Sequence, residues 1–440
     1  MNLSKWMLFA FLLGLTACNS DQPNVSNVAL VNNVEPEEEE EEEDLGPVDS
    51  SKIDSLYEVG DTVAEMDLVE GNTQFAIELF QAMNKPNENM IFSPYSITVA
   101  LGMVYGGAKG ETETQIRKTL HFPEGNVQSF HKALGTLNSK LLKETEGAIT
   151  IKVANKIWTA SGYGLKGGFV EMTKAFYESQ AGTFSSKEEG AEKINAWAAK
   201  KTNDKIKDIL KPSNLDGVRV ALANAIYFYG TWDKEFDKED TREGEFILND
   251  QSTVSVDFMN KELETRVVLE EDYRILELPY KDNKASMVLV LPNEGVTLQQ
   301  VVANLDGGAN YSIWRSNPLD AYEGNVLVRL PKFKIETPTM NLSNAFKEKL
   351  GMKIPFEGGA DFTKMIRLAD IFIGNIFHKA MIEVNEQGTE AAAVTVVTME
   401  GRGMAPKPLM FNANRPFMYL IKESSTNSIL FMGQVVNPKE

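Results

Sequence analysis

The sequence predicts a mixed α+β fold. Three observations carry this. Apolar residues recur at helical spacing early in the chain, at Phe75, Leu79 and Met83 and again at Ala100, Leu101, Met103 and Val104. Later segments are rich in β-branched and aromatic residues, from Val218 to Phe228 and from Met287 to Leu291. Near the C-terminus a strand-patterned stretch runs into a loop marked by Gly401, Gly403, Pro406 and Pro408. With 440 residues and 42% hydrophobic content, the chain can bury a sizeable core in one large domain or in two to three ordinary ones.

The first residues stand apart from that core. Lys5 precedes an apolar run from Trp6 to Leu15, and then come Thr16, Ala17 and Cys18. A basic start, a short apolar stretch and small residues make a secretory signal, and the run falls short of the about 20 residues that span a bilayer. Leu15-Thr16-Ala17-Cys18 resembles the bacterial lipobox, in which the cysteine is lipidated and becomes the first mature residue. The expected layout is therefore a lipoprotein signal peptide over 1–17, an acidic tether over 18–68 and one folded domain over 69–440. Cys18 is the sole cysteine, so a mature chain has no disulfide and no cysteine nucleophile. A cleaved soluble protein with an incidental cysteine is the plainer alternative. Glu35, Glu37 to Glu43 and Asp44 supply nine acids of a net charge of −19. Such a run repels itself and stays extended. It reads as a spacer between a membrane and the folded domain, and nucleic acid is not an expected partner.

Within the folded part a helix is expected after Asn72, a good N-cap residue. A second helix follows Ser93-Pro94-Tyr95-Ser96, where the serines read as caps, and Gly106-Gly107 ends it. A third starts near Glu111. Ile149 to Thr159 alternates as a strand. Ala191 to Trp197 opens a helix expected to continue towards Ile206 and Ile209 and to end at Pro212. Val218 to Phe228 reads as a strand buried on both faces. Glu264 to Leu291 and Val326 to Ile335 hold further strands, Asn341 to Leu350 a short helix ended by Gly351, and Met381 to Val384 a strand feeding the C-terminal loop.

That loop begins Glu386-Gln387-Gly388-Thr389-Glu390-Ala391-Ala392-Ala393 and reaches Gly401-Arg402-Gly403. Strand side chains alternate faces. One set is Thr389, Ala391, Ala393, Thr395, Val397 and Met399; the other contains both charges, Glu390 and Glu400. The segment can therefore sit with one face in a core, yet it ends in an accessible turn. From pattern alone it is a central strand followed by a surface turn.

Here the sequence resembles the serpin family. Glu386 to Ala393 resembles the hinge of inhibitory serpins, Phe411-Asn412-Ala413-Asn414-Arg415-Pro416-Phe417 the segment that closes their reactive loop, and Met432 to Pro438 their last strand. Phe92 to Phe122 and Leu222 to Trp232 resemble two further long stretches of the family, and the likeness covers about Asn72 to Pro438. It implies the serpin fold, one domain with three β-sheets, about nine helices and an exposed reactive-centre loop. It further implies a shutter of buried polar residues at Ser93, Ser96, Asn224 and His378. At the breach, where the loop enters the large sheet, it implies Trp232 with an ion pair of Lys332 and Glu386. It also implies a hinge of Glu386, Gly388, Thr389, Ala391, Ala392 and Ala393.

The resemblance implies a suicide-substrate inhibitor. A serine protease attacks the loop, an acyl-enzyme forms, and the cut loop inserts in the sheet and traps the enzyme. Inhibitory members place the cut about seventeen residues on from the hinge glutamate, and Glu386 to Arg402 is 402 − 386 + 1 = 17 residues. This sets the bait bond at Arg402-Gly403, which suits a trypsin-like enzyme with a carboxylate in its specificity pocket. Met399 is the alternative bait, favouring elastase- or subtilisin-like targets, and an Arg-specific cysteine protease is a further possible target. A non-inhibitory serpin serving as binding protein or decoy substrate is the alternative function. A hydrolase is the third reading, with His378 as a conceivable base. His121, His131 and His378 show no metal-ligand spacing, and no nucleophile elbow, phosphate loop or zinc motif is present. No metal or cofactor is expected. Arg117, Lys118 and His121 form no dense basic stripe, so a glycosaminoglycan site is not supported. The expected protein is a monomer, lipid-anchored in a bacterial cell envelope at the outer membrane or cell surface.

Overall fold

A computed structural model describes residues 63–145, 149–305, 321–367, 371–389 and 408–439, all within one compact unit that spans Val48–Glu440. Cys18, Ala391, Ala392, Ala393, Met399, Arg402 and Gly403 lie outside the described residues.

The first helix, α1 (Glu65–Met83), begins earlier than expected, with Glu65 and Asp67 in a first turn where carboxylates complement the helix dipole. Asn72 is not its cap. It is buried within the helix, where its amide donates to the Ile429 carbonyl at 3.3 Å and accepts from the Thr98 hydroxyl at 2.9 Å. A buried amide needs partners, and here it bolts three elements together. After β1 (Met90–Phe92), Ser93 caps α2 (Pro94–Gly107): its hydroxyl accepts from the Ser96 N–H at 3.1 Å, and Pro94 occupies the first turn, where no N–H is needed. Then come α3 (Gly110–Thr119), α4 (Val127–Thr145), β2 (Ile149–Ala160), α5 (Gly167–Tyr177), β3 (Gln180–Phe184) and α6 (Lys187–Lys201), which Ser186 caps.

α6 stops well short of Pro212. Thr202 takes the Ala198 carbonyl with its hydroxyl and accepts from the Ile206 N–H, and Asn203, Asp204 and Asp208 adopt positive φ. Ile206 and Ile209 are buried as their spacing suggests, but from an irregular segment. β4 (Val220–Thr231) alternates more than a doubly buried strand should: Ile226 and Phe228 face the main core, while Ala223 joins a smaller core under α6 with Trp158, Phe184, Ile194 and Trp197.

The chain continues through β5 (Arg242–Ile247), β6 (Thr253–Leu269), β7 (Tyr273–Pro279), β8 (Ala285–Pro292), α7 (Leu298–Ala303), β9 (Tyr322–Pro331), β10 (Phe333–Glu336) and β11 (Met340–Asn341). The helix expected over Asn341 to Leu350 is a single wide turn at Ala345–Lys349, closed before Gly351, which has φ +78°. The last elements are β12 (Phe377–His378), β13 (Met381–Val384), β14 (Gly388–Thr389), β15 (Leu409–Asn412), β16 (Phe417–Glu423) and β17 (Ile429–Val435).

Nine strands form one sheet in the order β1-β17-β16-β8-β7-β6-β9-β15, with β5 on β6. Its central strands β8, β16 and β17 are buried along their whole length. The length of β6, 17 residues, lets it pair with β5, β7 and β9 and so join what would otherwise be two sheets. A four-stranded sheet runs β14-β4-β2-β3, with β10–β13 and β11–β12 as separate pairs. Among the described residues, β4 pairs with β2 along nearly all its length but with β14 only at Gly230 and Thr231.

Candidate functional site at the base of the C-terminal loop

The site is built where β13 ends and the chain reverses. Asn385 and Gly388 close a tight turn with reciprocal backbone bonds of 2.9 and 3.1 Å. Gly388 has φ +139°, and a Cβ there would lie 2.2 Å from the Gly230 carbonyl oxygen, so the turn can press against β4 only as glycine. The segment after β4 grips the turn from the other side. The Trp232 N–H donates to the Gln387 carbonyl at 2.9 Å, the Phe236 N–H to the Glu386 carbonyl at 2.8 Å, and the Trp232 indole N–H to the Asn385 carbonyl at 3.0 Å.

Glu386 is buried at this point. Lys332 sits in the one-residue break between β9 and β10, and its ammonium reaches the Glu386 carboxylate at 3.1 Å. The Thr241 hydroxyl adds a second bond at 2.9 Å. Burial pushes the Glu386 carboxyl up, but its own backbone N–H, Lys332 and Thr241 together outweigh this and hold it below the usual range. Thr389 follows, paired with Gly230 in antiparallel register and only 3% exposed. Its hydroxyl shares a 3.0 Å hydrogen bond with the Tyr280 hydroxyl, and the Tyr280 ring stacks on Trp232.

A second cluster lies further down β4. Asn224 and Gly230 are six residues apart in the strand, or about 20 Å. The Ser96 hydroxyl bonds to Asn224, whose amide donates to Asn155 at 2.8 Å. The Ser93 N–H donates to His378 Nε2 at 3.0 Å, and the Ser93 hydroxyl donates to the Leu430 carbonyl at 2.6 Å. Ser93, Ser96, Asn224 and His378 thus form one chain of contacts, with the Ser93–Ser96 cap as its middle link. Burial holds the His378 imidazole near a pKa of about 4, so it is neutral at pH 7.

The structure therefore brings together Trp232, Lys332, Glu386, Gly388 and Thr389 at one end of β4, and the four shutter candidates lower down. Sequence reasoning missed Tyr280, Thr241 and Asn155. Leu278-Pro279-Tyr280 at a strand end was the one local signal for Tyr280; Thr241 and Asn155 offered none. His121 is engaged elsewhere, with its Nε2 2.8 Å from Glu78, and Arg117 pairs with Glu124 at 3.2 Å. Among the described residues no group of three or more His, Cys, Asp or Glu side chains is placed to hold a metal, and no helix is long and apolar enough to cross a membrane.

A buried turn at the end of β13, clamped against the end of β4 by a tryptophan and an ion pair, defines a class in which the chain leaving one strand is held by its neighbour in the sheet. The comparisons give that class its family. Residues 70–438 match the family described as "Serpin (serine protease inhibitor)". Human Serpin B3 is 36% identical over 391 residues, covering 84% of this chain and 99% of that protein. The leukocyte elastase inhibitor of Xenopus tropicalis is 36% identical over 388 residues, covering 83% and 98%. Among solved structures, the thermophilic serpin tengpin in its native state superposes with a TM-score of 0.77 at 29% identity, covering 88% of this chain and 98% of its own. Cleaved Serpin 42Da superposes at 0.76 with 32% identity, covering 86% and 100%. The chain belongs to the serpin family and has the α+β serpin fold.

Proposed function

We propose that this chain is a suicide-substrate inhibitor of trypsin-like serine endopeptidases, with Arg402-Gly403 as the bait bond. The carrying observation is the pairing of Gly388–Thr389 with the end of β4. A strand continuing from Thr389 would run antiparallel to β4, beside a small cleft whose lining includes Thr389 itself, Ile226 and Phe228 of β4, Met381 and Ile382 of β13, and the charged Lys205 and Glu383. Glu390 comes next, on the strand face opposite Thr389, and Ala391 to Ala393 after it are small and suit entry between packed strands. In the proposed cycle the protease serine attacks the Arg402 carbonyl. Its oxygen forms an ester with Arg402 as the bond to the Gly403 nitrogen breaks, and the Gly403 amine takes the proton and leaves. Insertion of the freed segment then carries the ester-linked enzyme away from the geometry that deacylates it.

The same reading extends to the N-terminus. Leu15-Thr16-Ala17-Cys18 supports a signal over 1–17, a lipid on Cys18 and an acidic tether to residue 68, placing the 69–440 domain at a bacterial envelope. Cys18→Ser should abolish incorporation of labelled fatty acid and move the protein from the membrane to the soluble fraction.

The central test mixes the chain lacking residues 1–18 with trypsin near equimolar ratio. A band of summed mass that survives boiling in SDS, with a released peptide starting at Gly403, is the expected result. Clean cleavage at Gly403 without a complex favours the decoy-substrate alternative. Cleavage after Met399 by elastase, with none at Arg402, moves the bait.

A further inference from the structure

Tyr280 is fully buried between the end of β4 and the turn that starts the loop. Its ring lies parallel to Trp232, with centroids 4.7 Å apart and planes 9° apart, and edge-on to Phe228 at 5.1 Å. Its backbone is fixed too: the N–H donates to the Ala285 carbonyl at 2.9 Å, and Tyr280 bridges Trp232 across the strand ends. Gly230 lets β4 pass close by, since a Cβ there would meet the Tyr280 ring at 2.9 Å. A ring held on these sides has one place to put its hydroxyl, and that place is 3.0 Å from the Thr389 hydroxyl.

We propose that Tyr280 is the docking post for the first loop residue in the sheet: its immobilised hydroxyl selects a hydroxyl-bearing side chain at position 389 and sets how readily the loop enters. The proposal rests on the reading of Gly388–Thr389 as the loop's point of entry. The physical basis is asymmetric. Thr389 and Tyr280 satisfy each other in a site closed to water. A residue of the same shape lacking the hydroxyl leaves the phenol unpaired, and a site built to bond a hydroxyl rejects its isostere strongly. Glu386 and Lys332 fix where the turn sits; Tyr280 reads what the turn presents.

The test is a double-mutant cycle in the full chain, purified in detergent: wild type, Tyr280→Phe, Thr389→Val and both together, with Thr389→Ser as the conservative variant. Two quantities are read. One is the ratio of SDS-stable trypsin complex to cleaved chain. The other is the rate at which the chain, once cut at Arg402, gains resistance to urea as the loop inserts. Each single variant should lower both by roughly three- to tenfold. The double variant should fall no further than the worse single, and Thr389→Ser should keep near wild-type values. A role confined to core packing would instead give losses that multiply in the double variant; that result, or a Tyr280→Phe protein equal to wild type while wild type traps trypsin, overturns the proposal alone. A wild type that is cut without trapping but still gains urea resistance overturns the inhibitory reading, and the insertion rates then decide the role of Tyr280. A wild type that does neither overturns both.

Discussion

Lys332 and Glu386 form a 3.1 Å ion pair in which the glutamate side chain is 6% exposed and the lysine side chain 37% exposed. The asymmetry makes Glu386 the dependent partner, since a buried carboxylate without its cation loses its compensation while the lysine can turn to water. Lys332→Met should cost about 1–3 kcal/mol in urea unfolding at pH 7. The pH dependence has a definite sign. The folded pKa of Glu386 is depressed, so its stabilisation is present above the unfolded value of about 4.3 and fades as pH falls through the lower folded value. The gap between wild type and Lys332→Met should therefore narrow from pH 7 to pH 3. A gap that stays constant would mean that the lysine acts through packing alone.

Thr389 lies against Gly230 and Tyr280 with 3% exposure, so a charge there must be buried or the turn must leave the sheet. Burying an unpaired charge costs several kcal/mol. Thr389→Glu should therefore leave the rate of cleavage by trypsin nearly unchanged while abolishing the SDS-stable complex, turning an inhibitor into a substrate. A complex formed at the wild-type yield would show that residue 389 does not need to be buried during trapping.

The parts of the site that were legible in the sequence are those written contiguously. Thr389 was read as a strand position and β13 at its observed bounds, Met381 to Val384, but the tight turn that Asn385 and Gly388 close between them was not read from the pattern. The Lys332–Glu386 pair and the joining of Ser93 and Ser96 to Asn224 and His378 were reached only through family resemblance, although the serines also read as helix caps from the sequence. Contacts between distant elements left no trace: Tyr280 meets Thr389 across 109 positions and Thr241 meets Glu386 across 145. Asn72 shows the converse error. Its residue type favours a helix cap locally, yet the tertiary demand of the Ile429 carbonyl and the Thr98 hydroxyl placed it mid-helix. Likewise Ile206 and Ile209 carry helical spacing into a segment that Asn203, Asp204 and Asp208 bend away from helix.

His378 accepts from the Ser93 N–H while buried, and burial lowers its pKa from 6.5 to about 4. The unfolded chain thus takes up a proton that the folded chain refuses, and stability declines as pH falls from about 6.5 towards 4. His131, lowered to about 3 by burial and by Lys364, contributes in the same direction. His378→Gln can keep an acceptor for Ser93 but cannot titrate. It should reduce the slope of stability against pH between 6.5 and 5.5 by up to about 1.4 kcal/mol per pH unit, leaving the His131 share. Urea midpoints at pH 7.5, 6.5 and 5.5 measure this, and an unchanged slope would show that His378 does not titrate with folding.

Gly388 combines two constraints that no other residue meets. Its φ of +139° is one that L side chains rarely adopt, and a Cβ would stand 2.2 Å from the Gly230 carbonyl oxygen, 2.6 Å from Thr231 Cα and 2.9 Å from the Trp232 nitrogen. All three are backbone atoms and cannot rotate aside. Gly388→Ala should therefore lift the turn off β4, breaking the Thr389–Gly230 pairing and the Trp232–Gln387 bond together, at a cost of about 1–3 kcal/mol. In the proposed cycle this contact forms before the loop advances, so the variant should trap trypsin less efficiently as well as unfold earlier. Gly230→Ala presses on the same spot from the other strand, where a Cβ would meet the Tyr280 ring at 2.9 Å rather than backbone. If the close approach of the two glycines is what seats the hinge, both variants should raise the fraction of cleaved, untrapped chain, and Gly388→Ala should do so more strongly. Equal effects would place the limiting contact at Tyr280 and not at the backbone of the turn.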